Sequence, residues 1–266
     1  MVDGTDRRLS EDFLMTRLLA SVANLEEARV AEDCGAGIID LKNPRKGALG
    51  AWSVVQVRKA VDALQGKSPI SATIGDLPMV AETIRAAVEP MAATGVDYVK
   101  LGFFSGGDWH EVIAALKPIT QQGIRLVAVM FADHHIDALG WIPRLAEAGF
   151  AGAMLDTANK QKGTLTTLRD LAFLSHFVSE AQQAGLLCGL AGSLREQDIH
   201  CLQALGPDYL GFRGALCGGT RTDALDPHAV RTLLNTLSTT RGQPPEFAPW
   251  DLHHALQPHS SGPFPA

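Results

Sequence analysis

The feature that most constrains this chain is an unbroken eightfold alternation of short apolar segments with longer helical ones. The apolar segments lie near 17–21, 37–42, 69–75, 97–102, 124–130, 152–156, 186–191 and 208–212. Each is short and lacks a polar alternation, the pattern of a strand covered on both faces. The stretches between them read as helices around 24–34, 53–64, 79–93, 108–121, 141–148, 167–184 and 195–204, with a last one around 227–237. Asn24 stands where an N-cap is needed, with Glu26 and Glu27 in the first turn behind it. Glycines such as Gly35, Gly95, Gly149 and Gly185 stand where these helices should stop.

Strands covered on both faces belong to a parallel sheet, and eight strand–helix units in 266 residues fit one α/β (β/α)8 TIM barrel. The competing architecture is an open doubly wound sheet. No G-x-G-x-x-G follows the first strand, which weighs against a dinucleotide fold. The barrel domain is expected over 15–239. Residues 1–14 read as a polar N-terminal arm, and 240–266, rich in Pro, His and Ser, as a loosely ordered C-terminal tail.

Composition narrows the function. A net charge of −6 and the absence of a basic cluster argue against a nucleic-acid partner. No apolar run approaches the ~18 residues of a membrane span, and the N-terminus lacks the apolar centre of a signal peptide. Cys34, Cys188, Cys201 and Cys217 form no C-x-x-C pair, so reduced thiols in a cytoplasmic protein are expected and zinc is not. His134-His135 has no carboxylate at helical spacing to complete a metal site; it reads as a loop tip, with His134 a candidate to line a pocket. No metal or cofactor is called for.

The chemistry collects where a TIM barrel keeps its active site, at the C-terminal ends of the strands. Strand 2 ends in Asp40-Leu41-Lys42, whose two charged residues share one face because strand residues two apart point the same way. Strand 4 carries Lys100, strand 6 ends in Asp156, and Lys160 and Lys162 follow it. Asp133 follows strand 5. Alternate strands supply shared layers inside such a barrel, so Lys42, Lys100 and Asp156 are expected to meet in one layer at its top. Desolvation and a neighbouring cation both favour a free amine, able to form a Schiff base or act as a base, with Asp40 and Asp156 to orient amines and move protons. Structural ion pairs are the alternative use of the same residues. Gly192-Ser193 after strand 7 and Arg213-Gly214 after strand 8 stand where many barrels bind phosphate, or else make tight turns only. The basic, Gly-rich loop 43–50 is either a cover for an anionic substrate or a solvated loop.

Six segments in order carry a resemblance. They are Ile39-Asp40-Leu41-Lys42-Asn43-Pro44 with Gly47-Ala48-Leu49-Gly50, Ser71-Ala72-Thr73-Ile74-Gly75-Asp76, Tyr98-Val99-Lys100-Leu101-Gly102, Met154-Leu155-Asp156-Thr157-Ala158 with Lys160, Leu190-Ala191-Gly192-Ser193, and Arg213-Gly214-Ala215. Across about 17–237 the chain resembles the (5-formylfuran-3-yl)methyl phosphate synthases, also called 4-(hydroxymethyl)-2-furancarboxaldehyde-phosphate synthases. The resemblance implies a lyase that joins two glyceraldehyde 3-phosphate molecules into a furan aldehyde phosphate, losing phosphate and water, for methanofuran-type cofactors of one-carbon metabolism. It implies a Schiff base on Lys42, a proton acceptor in Lys100, and Asp40, Asp156 and Lys160 completing the proton-transfer set. It also implies a homo-oligomer, a hexamer among the forms allowed. The other readings are a Schiff-base aldolase acting on another phosphorylated aldehyde, and a non-catalytic barrel that binds a phosphorylated metabolite.

Overall fold

A computed structural model describes residues 16–64, 66–134 and 137–239. The arm expected at 1–14, the tail at 240–266 and His135 lie outside the described residues. Eight parallel strands close on themselves in chain order: β1 (Arg17–Val22), β2 (Ile38–Leu41), β3 (Ile70–Thr73), β4 (Tyr98–Phe103), β5 (Leu126–Phe131), β6 (Gly152–Asp156), β7 (Leu187–Leu190) and β8 (Tyr209–Phe212), the last pairing with β1. The architecture is the (β/α)8 barrel, not the open sheet.

The helices form where local chemistry allows. In α1 (Leu25–Cys34) the Asn24 side chain accepts the Glu27 amide at 2.9 Å, and Gly35, at φ 88°, ends the helix. α2 (Val54–Ala63) opens on a capping box between Ser53 and Gln56. α3 (Ala81–Ala92) and α4 (Trp109–Thr120) follow, α4 behind an Asp108 cap. Three helical segments differ from expectation. The helix expected at 141–148 is α5 (Ala138–Glu147), because the Asp137 carboxylate caps it by accepting the Gly140 amide. The long helix expected at 167–184 is two helices, α6 (Leu165–Leu168) and α7 (Leu171–Gln183), because Arg169 is extended and Asp170 caps a fresh start on the Phe173 amide. The segment expected at 195–204 is a tight turn followed by the short α8 (Ile199–Gln203), and α9 (Pro227–Thr239) closes the series.

The strand period of two divides the core in two. One set, including Ala20, Ile39, Leu41, Val99 and Leu101, packs outward against the helices. The other, including Leu19, Ile38, Val127, Val129, Met154 and Tyr209, fills the barrel. Ser21 shares Leu19's parity, Asp40 and Lys42 share Ile38's, and Asp156 shares Met154's. These four are buried and face a common space at the top of the barrel.

Candidate active site

That space is a cavity of about 580 Å³, at the C-terminal ends of β1, β2, β6, β7 and β8. Its floor carries Asp40, Lys42 and Asp156, and its walls come from the loops after β6, β7 and β8. Lys42 stands just past β2 with its amide tied to the Val22 carbonyl. Its Nζ lies 3.6 Å from Asp156 Oδ2. Lys160 donates to the other oxygen, Asp156 Oδ1, at 2.6 Å, and also to the carbonyl and hydroxyl of Thr157. The Thr157 amide completes the set on Oδ1 at 2.7 Å. Burial pushes the Asp156 carboxyl up, but the ammonium groups of Lys160 and Lys42 and this amide outweigh it and hold Asp156 well below the usual carboxylate range. Asp156 is therefore a fixed anion that orients both amines.

Lys100 does not enter the layer as expected. It is 1% exposed and is absent from the cavity's lining. Its Nζ donates to Asp40 Oδ1 at 3.1 Å, the oxygen that also accepts Ser71 Oγ at 2.6 Å. Behind it lies a small void lined by Ser71, Tyr98, Val127 and Tyr209. The two lysines thus take separate carboxylates, Lys42 facing the cavity and Lys100 facing the barrel interior. Burial lowers the Lys100 pKa, the Asp40 carboxylate partly restores it, and Lys42 lowers it again. Lys160 is lowered as well, by burial first and by Lys42 after the opposing pull of Asp156. Asp40 and Ser21 line the cavity, and their Oδ2 and Oγ atoms are buried and make no hydrogen bond among the described residues. Ser21 was not singled out from the sequence, although its parity with Leu19 in β1 could have found it.

The loops divide into those that hold and those that are held. Asp133 Oδ1 and Oδ2 accept the Ala158 and Asn159 amides at 2.7 and 2.9 Å, fixing the loop that carries Lys160. Although burial raises Asp133, those amides hold it below its ordinary value. Asp76 does the same for loop 43–50, accepting the Ala48 and Leu49 amides at 2.8 and 2.7 Å. Gly47, at φ 111°, permits that approach; a Cβ there would sit 2.1 Å from Asp76 Oδ2. Loop 43–50 borders the cavity without lining it. His134 does not line it either, and packs its ring on Phe131 and Phe104. Cys188 is buried and burial pushes its thiol up, consistent with inert filler.

Gly192, Ser193 and Gly214 line the cavity as a phosphate site would require. Ser193 has φ 53°, a left-handed conformation unusual for a residue with a side chain. The amides of Gly192, Ser193, Leu194, Gly214 and Ala215 donate to no protein acceptor among the described residues. Arg213 needs correction. Its backbone borders the cavity, but its guanidinium is turned inward and buried. Nε donates to the Arg221 carbonyl, Nη1 to Ser21 O and Glu27 Oε2, and Nη2 to Glu27 Oε1 and Asp223 O. All five of its N–H groups are committed, so none is available to a phosphate. The other arginines that line the cavity are Arg195, which is exposed, and Arg221, which is half-buried; the sequence reading missed both as site residues. No group of three or more metal-ligating side chains occurs among the described residues.

The family model described as 4-HFC-P synthase matches residues 18–234. A Methylorubrum extorquens protein is 43% identical over 211 residues, 79% of this chain and 86% of that one. The (5-formylfuran-3-yl)methyl phosphate synthase of Methanocaldococcus jannaschii is 38% identical over 234 residues, 81% of this chain and 97% of its own. Among solved structures, phosphoribosyl anthranilate isomerase from Thermus thermophilus superposes with a TM-score of 0.60 at 16% identity, covering 85% of this chain and 100% of that one. 3-Hexulose-6-phosphate synthase from Salmonella typhimurium gives 0.59 at 18%, covering 85% and 100%. At these identities the structural likeness concerns the fold alone.

Proposed function

The chain belongs to the 4-HFC-P synthase family, and from that premise we propose that it is a lyase condensing two molecules of glyceraldehyde 3-phosphate into (5-formylfuran-3-yl)methyl phosphate, with loss of phosphate and water. The observation that carries this reading is the placing of the Lys42 amine on the floor of an open cavity, with a single carboxylate partner at 3.6 Å. Lys160, by contrast, has three acceptors on its ammonium and no spare direction for attack.

Lys42 attacks the aldehyde carbon as the neutral amine; the carbinolamine loses water and leaves an iminium. The iminium acidifies the neighbouring C–H. Asp40 is the other carboxylate on the floor, its Oδ2 unpartnered among the described residues and its Oδ1 bonded to Lys100. A proton taken from the substrate reaches Lys100 through Asp40, since Lys100 does not touch the cavity. This refines the role of Lys100 as proton acceptor: it acts at one remove. Asp156, anchored by Lys160 and kept ionised, holds the Lys42 amine in place for the proton transfers. The loops at Gly192-Ser193 and Gly214 offer free amides to phosphate.

The same reading extends to a cytoplasmic homo-oligomer serving methanofuran-type cofactor synthesis, with no bound cofactor of its own. The test is direct. Incubated with glyceraldehyde 3-phosphate, the enzyme will yield a product with furan ultraviolet absorbance and the mass of the furan phosphate, and borohydride will fix a triose adduct on Lys42. An open-chain aldol product, or an adduct that persists in Lys42→Ala, sinks the proposal.

A further inference from the structure

Arg213 and Arg221 lie eight residues apart on the loop after β8 and have opposite situations. Arg213 is buried, paired to Glu27 at 2.5 Å, and has no free donor. Arg221 is half-buried, lines the cavity, and makes one long hydrogen bond, to the Gly47 carbonyl at 3.4 Å. Four of its five N–H groups have no acceptor among the described residues. It belongs to no ion pair within 4 Å there. The carboxylates near enough to influence it are Asp156 and Asp76, and both are committed elsewhere: Asp156 to two lysines and an amide, Asp76 to two loop amides. A half-buried guanidinium with no counter-anion, in a chain of net charge −6, is a site waiting for one.

The two arginines are also mechanically linked. Arg213 Nε holds the carbonyl of Arg221 itself at 2.7 Å, and Nη2 holds that of Asp223 at 2.8 Å. Arg45 reaches the Thr222 carbonyl from the loop after β2. The segment 221–223 is therefore tied to the barrel wall from within and to the neighbouring loop from outside, which fixes the root of the Arg221 side chain.

We propose that Arg221 is the specificity residue that grips the phosphate of a phosphorylated aldehyde over the Lys42 amine, and that the Glu27–Arg213 pair is the brace that positions it. Planar guanidinium donors match phosphate oxygens two at a time, which a lysine cannot reproduce. The inference rests on the Schiff-base reading for its substrate, but it assigns a residue and a selectivity that the reading does not contain.

The test uses borohydride trapping at Lys42, followed by mass, as a function of concentration for glyceraldehyde 3-phosphate and for unphosphorylated glyceraldehyde. In Arg221→Gln the preference for the phosphorylated aldehyde, as the ratio of half-trapping concentrations, falls about 10- to 100-fold, the scale of one lost charge-assisted contact. Arg221→Lys recovers part of it. A ratio equal to wild type overturns the proposal, because damage to the fold alone would weaken trapping of both aldehydes alike. If the wild-type enzyme forms no adduct with either aldehyde, the Schiff-base reading falls, and titration with inorganic phosphate by calorimetry still decides about Arg221. Binding weakened at least tenfold in Arg221→Gln supports the anion site; equal binding in the two proteins removes it.

Discussion

Replacing Arg213 by methionine separates a brace from a ligand. The substitution removes a buried ion pair made at 2.5 and 3.3 Å and three bonds to carbonyl oxygens, while keeping most of the side-chain volume. Glu27 stays behind, 6% exposed, with the Ala23 amide at 2.7 Å its one remaining donor among the described residues. Breaking a buried pair from one side costs about 3–5 kcal/mol. At about 2–4 °C per kcal/mol for a chain of this size, the melting temperature should fall by about 6–20 °C. Glu27→Gln should cost less, because the amide oxygen can still accept from Ala23 or Arg213. Glu27→Leu added to Arg213→Met should restore part of the loss by removing the stranded charge. Recovery stays incomplete, since the carbonyls of Ser21, Arg221 and Asp223 remain without their donor, at about 1 kcal/mol each. The assay is urea unfolding, with thermal melts alongside, of wild type, Arg213→Met, Glu27→Leu and the double, read as a thermodynamic cycle. A coupling energy below about 0.5 kcal/mol, or a melting temperature within about 2 °C of wild type for Arg213→Met, would refute the assignment.

Three further outcomes follow from the same contacts. Gly47→Ala places a Cβ against Asp76 at a positive φ; it should cost about 1–3 kcal/mol and loosen the Ala48 and Leu49 amides, seen as faster hydrogen exchange there. Exchange rates unchanged at those amides would count against the anchoring role of Asp76. Because Asp156 is held below its ordinary pKa, its stabilisation is fully present above about pH 3.9 and is lost as pH falls through the folded-state value. The stability gap between wild type and Asp156→Asn, measured by denaturant melts, should therefore be constant near neutrality and shrink below about pH 4; a gap that widens on acidification contradicts the assignment. Lys100 also contributes stability that rises with pH, but in an alkaline window. Its depressed pKa means the folded state binds fewer protons, so the cost of burying the charged amine is full below the folded value and disappears as pH rises towards about 10.4. Relative to Lys100→Met, wild type should gain stability across that alkaline window, and a flat difference would show that Lys100 keeps its proton.

The barrel was legible because its signals are local. Alternation of apolar runs with capped helices needs only neighbours in sequence, and every strand fell within a few residues of its expected place. The errors are also local and have causes. Asp170 is a cap signal inside a stretch otherwise suited to one helix, and the pattern of apolar residues on both sides masked it. Asp137 caps α5 ahead of the apolar pattern at 141–148, so the helix begins earlier than that pattern shows. The site was legible as a set of strand-end residues but not as a set of pairs. Nothing near Arg213 in the sequence reveals that its partner is Glu27, 186 residues away, or that its donors are exhausted. The sequence equally hides that Arg221, on a Gly-rich loop without regular structure, is half-buried at the cavity with most of its donors uncommitted among the described residues.

The same limit explains the lysines. Period two correctly placed Lys42 and Lys100 inside the barrel, and alternate strands correctly placed them near one another. Which carboxylate each lysine takes depends on side-chain reach, and there the expected single layer divides. Thr73 pairs with Lys100 across β3 and β4, and Ala72 pairs with Leu41 across β2 and β3, so the two lysines start from nearly the same level. Lys42 leans across the cavity to Asp156, while Lys100 turns to Asp40, which Ser71 also holds. The division has a chemical consequence. The proposed covalent attack needs room for a carbonyl, and of these two lysines Lys42 faces the cavity. An amine intended to keep a depressed pKa needs exclusion from water, and Lys100 has that at 1% exposure. Asp40 touches both environments, since it lines the cavity and accepts from Lys100, which is what the proposed proton route requires.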